Sequence, residues 1–115
     1  MYKTSYEQIS RESVNTYRKS ERDALMSAVR DIKSAIEIDP RSIDTIKACA
    51  NLQKIWTILL TDVVTDGNKL SDEVKAGVIS VGMWIQREIS DIMAGKSNNY
   101  KGVIEITQII ADGLV

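Results

Sequence analysis

The fold is decided by the stretch from Ser80 to Leu114, SVGMWIQREISDIMAGKSNNYKGVIEITQIIADGL. Its first part places apolar residues three and four positions apart, which is typical of an amphipathic helix. The run Gly-Lys-Ser-Asn-Asn then predicts a turn, and a second helix begins near the two asparagines and finishes at Gly113. The stretch therefore predicts a helical pair whose second member carries more apolar surface than a small domain needs.

Signals for helix starts and stops continue upstream. Asp39-Pro40 ends a first helix, and Asp39 is the expected N-cap of a second helix that runs to about Thr65. Gly67 suits a left-handed stop, and Ser71 is the expected N-cap of the third helix, which Gly95 ends.

The first helix is the one segment that does not fit a compact domain. As one piece from Ser5 to Ile38 it would reach about 50 Å at 1.5 Å per residue, whereas a domain of this length is about 27 Å across. Two alternatives follow: the helix bends near Arg18–Arg22, or its polar N-terminal half, residues 1–22, projects as a mobile arm.

Short connections favour antiparallel neighbours, so the expected fold is all-α, an up-down bundle of about four helices with a long N-terminal helix. The chain has 115 residues, of which 43% are hydrophobic and 27% charged. These values are typical of a globular protein, and we expect residues 1–115 to form a single domain.

Composition also narrows the function. The chain has no histidine and one cysteine, Cys49, so it offers no Cys-His nucleophile and no usual set of metal ligands. We expect no enzyme activity, no catalytic residue, no metal and no cofactor. The net charge of −1 argues against direct nucleic-acid binding. With no apolar run long enough for a membrane span and no signal segment, we expect a cytoplasmic protein.

With these functions disfavoured, the apolar surface of the helices is the remaining candidate for a functional feature. On the last helix the apolar side chains spread over roughly 220°, wider than the stripe of about 100° that a helix on a core needs. Either this helix is wedged between several others, or its Ile106–Ile109 side meets a partner while Val103, Ile110 and Leu114 face the core. Tryptophan allows the same two interpretations, core anchor or interface hot spot. The candidate partner-binding residues are Trp56, Trp84, Tyr100, Ile106 and Ile109.

Several runs carry a resemblance to a known family. They are Ser80–Ile89, Ile92–Ile106 and Ile109–Leu114, together with Ile55–Leu59 and Asp62, Asn68–Leu70, and the Met1-Tyr2 start leading to Tyr6. Together these runs resemble the flagellar biosynthesis regulator family FlaF over essentially the whole chain, most strongly from Trp56 onward. Family members often carry proline after Asn68, where this chain has Ser71.

The resemblance implies a cytoplasmic regulator that binds flagellin as a secretion chaperone and promotes its synthesis and export. It also implies FlbT, a regulator acting on flagellin message, as a second partner. Flagellin's chain ends are amphipathic helices that polymerise by packing on each other, and the apolar side of the last helix could cover such a segment. Two alternatives stay open. One is a post-transcriptional regulator acting on flagellin message, directly or through FlbT. The other is a structural adaptor that forms a homodimer.

Overall fold

The computed structural model describes residues 2–65 and 67–113, with the backbone alone for residues 2–18. It contains four helices and, within this part, no strand: α1 Tyr2–Ile38, α2 Ile43–Val63, α3 Asp72–Met93 and α4 Tyr100–Gly113. The predicted all-α fold of four helices is confirmed.

The helices pack in a ring that follows the chain order. α1 contacts α2 and α4, and α3 contacts the same two helices. The α1–α2 and α3–α4 connections meet at one end of the bundle, where Arg41 Nη1 donates to the Ile92 carbonyl at 2.9 Å. There Tyr100 Oη also donates to the Pro40 carbonyl at 2.5 Å. Two alternate connections at one end require helices that alternate in direction, which is the predicted up-down bundle.

Two of the predictions concern parts of the chain that are not described in full. The proposed mobile arm comprises residues 1–22. Met1 and the side chains of residues 2–18, which make up most of it, lie outside the described part of the structure. The arm and its alternative, a bend near Arg18–Arg22, therefore stay predictions. Leu114, expected to face the core, also lies outside the described residues.

Local sequence accounts for most helix ends. Ser71 Oγ accepts a hydrogen bond from the Val74 amide at 3.2 Å, so the predicted cap of α3 is confirmed. Gly95 follows the end of α3 with a φ of 78°, and Gly67 has a φ of 88° in the preceding loop. Both adopt the left-handed backbone that glycine tolerates, which is the prediction made for Gly67.

The cap predicted for α2 is wrong. Ser42, not Asp39, caps this helix, since Ser42 Oγ accepts from the Thr45 amide at 3.1 Å. Asp39 instead turns the chain, its carboxylate accepting from the Arg41 amide at 2.9 Å. The proline at 40 places a tight turn between the two helices, and the helix starts only after that turn is complete.

The core lies between all four helices and is made of side chains that recur every three or four residues. Those that are most completely buried are Leu25, Val29, Ile32, Leu52, Trp56, Leu59, Val63, Ile85, Ile89 and Ile92. Val103 is buried and Ile110 packs partly against the core, as expected for both.

The hydrogen bond between the Tyr100 hydroxyl and the Pro40 carbonyl leads to a prediction about stability. Tyr100→Phe removes one hydrogen bond and leaves the ring in place, so we expect unfolding free energy to fall by about 0.5–1.5 kcal/mol. Chemical denaturation followed by helical circular dichroism measures this. Unchanged stability would mean that the hydroxyl does not hold the two connections together.

Candidate functional site

The five candidate partner-binding residues separate into two groups. Trp56 is 0% exposed and Tyr100 is buried as well, whereas Trp84 is 39% exposed and Ile109 64% exposed. Ile106 is partly buried and packs against the edge of the core. The structure therefore leaves Trp84, Ile106 and Ile109 accessible to another molecule.

Trp56 is a core residue. Its indole N–H donates to Thr107 Oγ1 at 3.2 Å, and Thr107 is fully buried on α4. α2 and α4 are not neighbours in the ring, so this side chain reaches across the centre of the bundle. In this fold Trp56 and Tyr100 are buried and offer little or no surface to a partner. Helical periodicity could not separate them from Trp84, because it identifies an apolar stripe but not what covers the stripe.

Trp84 and Ile106 come together in an apolar groove. Between α3 and α4 lies a cavity of about 300 Å³ lined by Ser80, Val81, Trp84 and Ile106. We call these four residues the α3–α4 groove. Ile109 lies one helical turn beyond Ile106 on α4, and Met83, next to Trp84 in the chain, is also exposed. The groove therefore unites two predicted residues from different helices and continues towards a third.

The groove forms because each helix carries apolar residues beyond its core-facing line. On α3 that line is Val78, Gly82, Ile85, Ile89 and Ile92. Val81 and Trp84 lie to one side of it. On α4 the line includes Val103, Thr107 and Ala111, and Ile106 lies beside it. α4 packs on two helices while Ile109 stays exposed, so the wide apolar arc of α4 is only partly used inside the chain.

Sequence reasoning missed the contribution of Ser80 and Val81 to this site. Val81 reads as one more member of the core stripe of α3, and Ser80 has no apolar character. The signal that could have found them is their spacing, three and four residues before Trp84, which puts all three on one side of the helix.

Two larger grooves are polar by comparison. The groove between α2 and α3, of about 590 Å³, is lined by residues such as Lys54, Arg87 and Asp91. It is crossed by amide hydrogen bonds from Gln53 to Ser90 Oγ and from Gln86 to Thr57 Oγ1. The groove between α1 and α2, of about 510 Å³, includes charged residues among its walls. Of these three, the α3–α4 groove has the most nearly apolar lining.

The described residues offer little reactive chemistry. Burial raises the pKa of the Cys49 thiol, an effect that the positive charge of Arg41 partly opposes, so the thiol stays protonated at neutral pH. No three cysteine, aspartate or glutamate side chains of the described part of the chain come together as a metal site. None of the helices described is long and apolar enough to cross a bilayer.

The two tryptophans give a direct test of this division. Trp56→Ala should lower the unfolding free energy by about 3–5 kcal/mol, because it empties a core position. Trp84→Ala should cost clearly less, because part of this side chain already meets solvent in the folded protein. Denaturant unfolding of both variants beside the parent protein measures the difference; equal losses would contradict the assignment of Trp56 to the core and Trp84 to the surface.

Comparison with known proteins adds a family match. A family model described as "Flagellar protein FlaF" matches residues 2–114, nearly the whole chain. No curated protein and no solved structure matches the chain.

Proposed function

The chain belongs to the FlaF family of flagellar proteins, and from this premise we propose that it is a cytoplasmic, non-catalytic chaperone that binds flagellin. In this role it promotes flagellin synthesis and export, acting with the FlbT regulator. The observation that carries the proposal is the α3–α4 groove, an apolar surface on a member of a flagellar family.

The groove supports a helical client. Amphipathic helices bind other proteins by placing an apolar stripe in a groove, with anchors three or four residues apart. Trp84 and Ile106 face such a position from two helices, and Ile109 extends it by one turn. Flagellin, whose chain ends are amphipathic helices, presents the matching shape.

The size of the groove suits reversible binding. Fully burying one large apolar side chain contributes about 1.5–3 kcal/mol, and association itself costs at least about 4 kcal/mol. A groove of about 300 Å³ accepts only a few such side chains. Binding through it is therefore modest, which allows the client to be released for export while its apolar stripe is covered before polymerisation.

In the proposed regulation, the occupied and empty forms of this protein differ in what they offer FlbT. A filled groove removes Trp84 and Ile109 from solvent, so the exposed surface of the protein reports whether flagellin is waiting for export. FlbT would read that difference and adjust the use of flagellin message. Bound flagellin thereby signals to its own translation without this chain touching RNA.

A binding titration with flagellin tests the groove. Ile106→Asp and Ile109→Asp each place a charge on the apolar surface, and we expect affinity to fall at least about tenfold, or about 1.4 kcal/mol. Isothermal titration calorimetry on the purified proteins gives both affinity and stoichiometry.

The matched control for this titration is Ile38→Asp. Ile38 is 88% exposed and lies at the end of α1, away from the groove, so the same chemical change there should leave affinity within about twofold. Equal affinity of the two groove variants and the control, all with parental helical content, would reject the groove as the flagellin site.

A further inference from the structure

The charges on the two helices that form the groove are unbalanced. α3 and α4 together carry six acidic and three basic residues, whereas the whole chain has a net charge of −1. One of the three basic residues, Lys75, lies nine positions from Trp84, which at 100° per residue puts it on the opposite side of α3. Lys75 therefore does not offset the acidic residues that lie on the side of the groove.

On α4 the acidic residues flank the apolar surface directly. Glu105 precedes Ile109 by four residues and Asp112 follows it by three, so both side chains are its neighbours on the helix. Both are exposed. Lys101 pairs with Glu105 at 3.9 Å, but the two side chains are 87% and 57% exposed. An ion pair this open to water leaves most of the carboxylate's field available to a ligand.

On α3 the two ends of the groove differ. Towards the N-terminus of the helix, the exposed Glu73 shares the face of Trp84, since eleven residues complete just over three turns. Towards the other end, Glu88 follows Trp84 by one turn and its carboxylate accepts a hydrogen bond from Ser97 Oγ, whereas the opposite charges of Arg87 and Asp91 lie along the α2–α3 groove. Because α4 is antiparallel to α3, the end of α4 with Asp112 runs towards Glu73. One end of the groove is thus acidic and the other is close to neutral.

Gly77 adds a steric observation on the same face. It lies inside α3, three residues before Ser80 and seven before Trp84, where glycine destabilises a helix relative to alanine. A Cβ built on Gly77 meets no atom within 4 Å, so nothing in the described chain requires glycine there. The absence of a side chain leaves room for another backbone to approach α3 closely.

From the charge and the open face together we propose that the α3–α4 groove selects an amphipathic helix of another protein that carries basic residues beside its apolar stripe. The apolar residues fill the cavity, the basic residues face Glu105, Asp112 and Glu73, and the helix backbone passes over Gly77. The inference rests on the proposed function and specifies the chemistry of the segment that this groove takes.

A second copy of this chain fits less well. Two copies packed groove to groove with their helices parallel would bring two acidic ends together, and like charges across an interface oppose association. With the helices antiparallel, each acidic end would meet the near-neutral end of the other copy, which offers less attraction than a basic stripe. The acidic rim therefore favours a basic partner over self-association through this surface.

Two synthetic helical peptides with one shared apolar stripe test the charge preference. One carries lysine at the positions beside the stripe and the other carries glutamate. Trp84 fluorescence reports binding, with Trp84→Phe as the control for the signal. We expect the lysine peptide to bind at least about tenfold more tightly at 0.05 M salt, and the ratio to fall towards one at 0.5 M salt because exposed charges are then screened.

The double variant Glu105→Lys with Asp112→Lys should reverse the preference, so that the glutamate peptide binds more tightly. Both positions are exposed, so the fold should tolerate the change. Glu37→Lys with Asp44→Lys, two exposed positions away from the groove, changes the net charge equally and should leave the preference as it was. Equal binding of both peptides, binding of neither, or the same effect from both double variants would overturn the proposal.

Gly77→Leu tests the close approach. A Cβ at this exposed position meets no atom within 4 Å and leucine raises helix propensity, so the variant should fold at least as stably as the parent. It should nevertheless weaken binding of the lysine peptide at least about tenfold, because it occupies the path of the ligand backbone, while Gly77→Ala should have a smaller effect. Unchanged binding by Gly77→Leu would contradict this route. A stable dimer of the parent that Gly77→Leu dissociates would show a second copy as the occupant instead.

Flagellin itself separates this inference from the function on which it rests. Flagellin binding that Ile106→Asp weakens, but that the Glu105→Lys, Asp112→Lys pair and salt leave unchanged, would overturn the charge preference and keep the chaperone. A clear preference for the lysine peptide with no binding of flagellin would keep the charge preference and reject flagellin as the client.

Discussion

The hydrogen bond from the Trp56 indole to the Thr107 hydroxyl is the constraint on which the arrangement of the bundle depends. Both side chains are fully buried, and an indole N–H left without an acceptor in an apolar core would cost about 1–3 kcal/mol. The bond also joins the two helices that are not neighbours in the ring. It thereby sets how α4 is rotated relative to α2. With Thr107 directed inward, Ile109 lies about 200° further around α4 and must face outward, while Ile106 lies about 100° to the side. The exposure of Ile109 beside the groove therefore follows from the hydrogen bond that Thr107 accepts from Trp56 in the core.

The end of the bundle fixes the position of α4 along its own axis. Arg41 on the first connection holds the last turn of α3, and Tyr100 at the start of α4 holds Pro40. Glycine at position 95 suits this contact, since its φ is 78° and a Cβ would lie 3.0 Å from Arg41 Nη2, which would then have to shift. These contacts place the start of α4 against the end of α3, and the antiparallel course of α4 then brings Ile106 opposite Val81 and Trp84.

How much of this the sequence could predict depends on how local each signal is. The Ser71 cap, the left-handed Gly67 and the end of α3 at Gly95 depend on a few neighbouring residues, and those predictions are confirmed. The cap of α2 failed although it is local, because Asp39 and Ser42 are both good caps and the intervening proline turn decided between them. Whether an aromatic residue is buried or exposed depends on residues far away in the sequence. Trp56 meets Thr107 and Tyr100 meets Pro40, at separations of 51 and 60 residues, and periodicity carries no information about such pairs.

The candidate site is also where the residue types are least favourable for the stability of the fold. Several apolar residues are exposed elsewhere, such as Ile43 and Ile58, but single exposed apolar side chains are normal on protein surfaces. Beside the groove the exceptions accumulate: an interior helix glycine at 77, an exposed Ile109 between two carboxylates, and a partly exposed Trp84. A sequence shaped for stability alone would place alanine at 77 and a polar residue at 109. Departures from consistent folding signals gather where a protein meets its ligand, and in this chain they gather along one side of the α3–α4 groove.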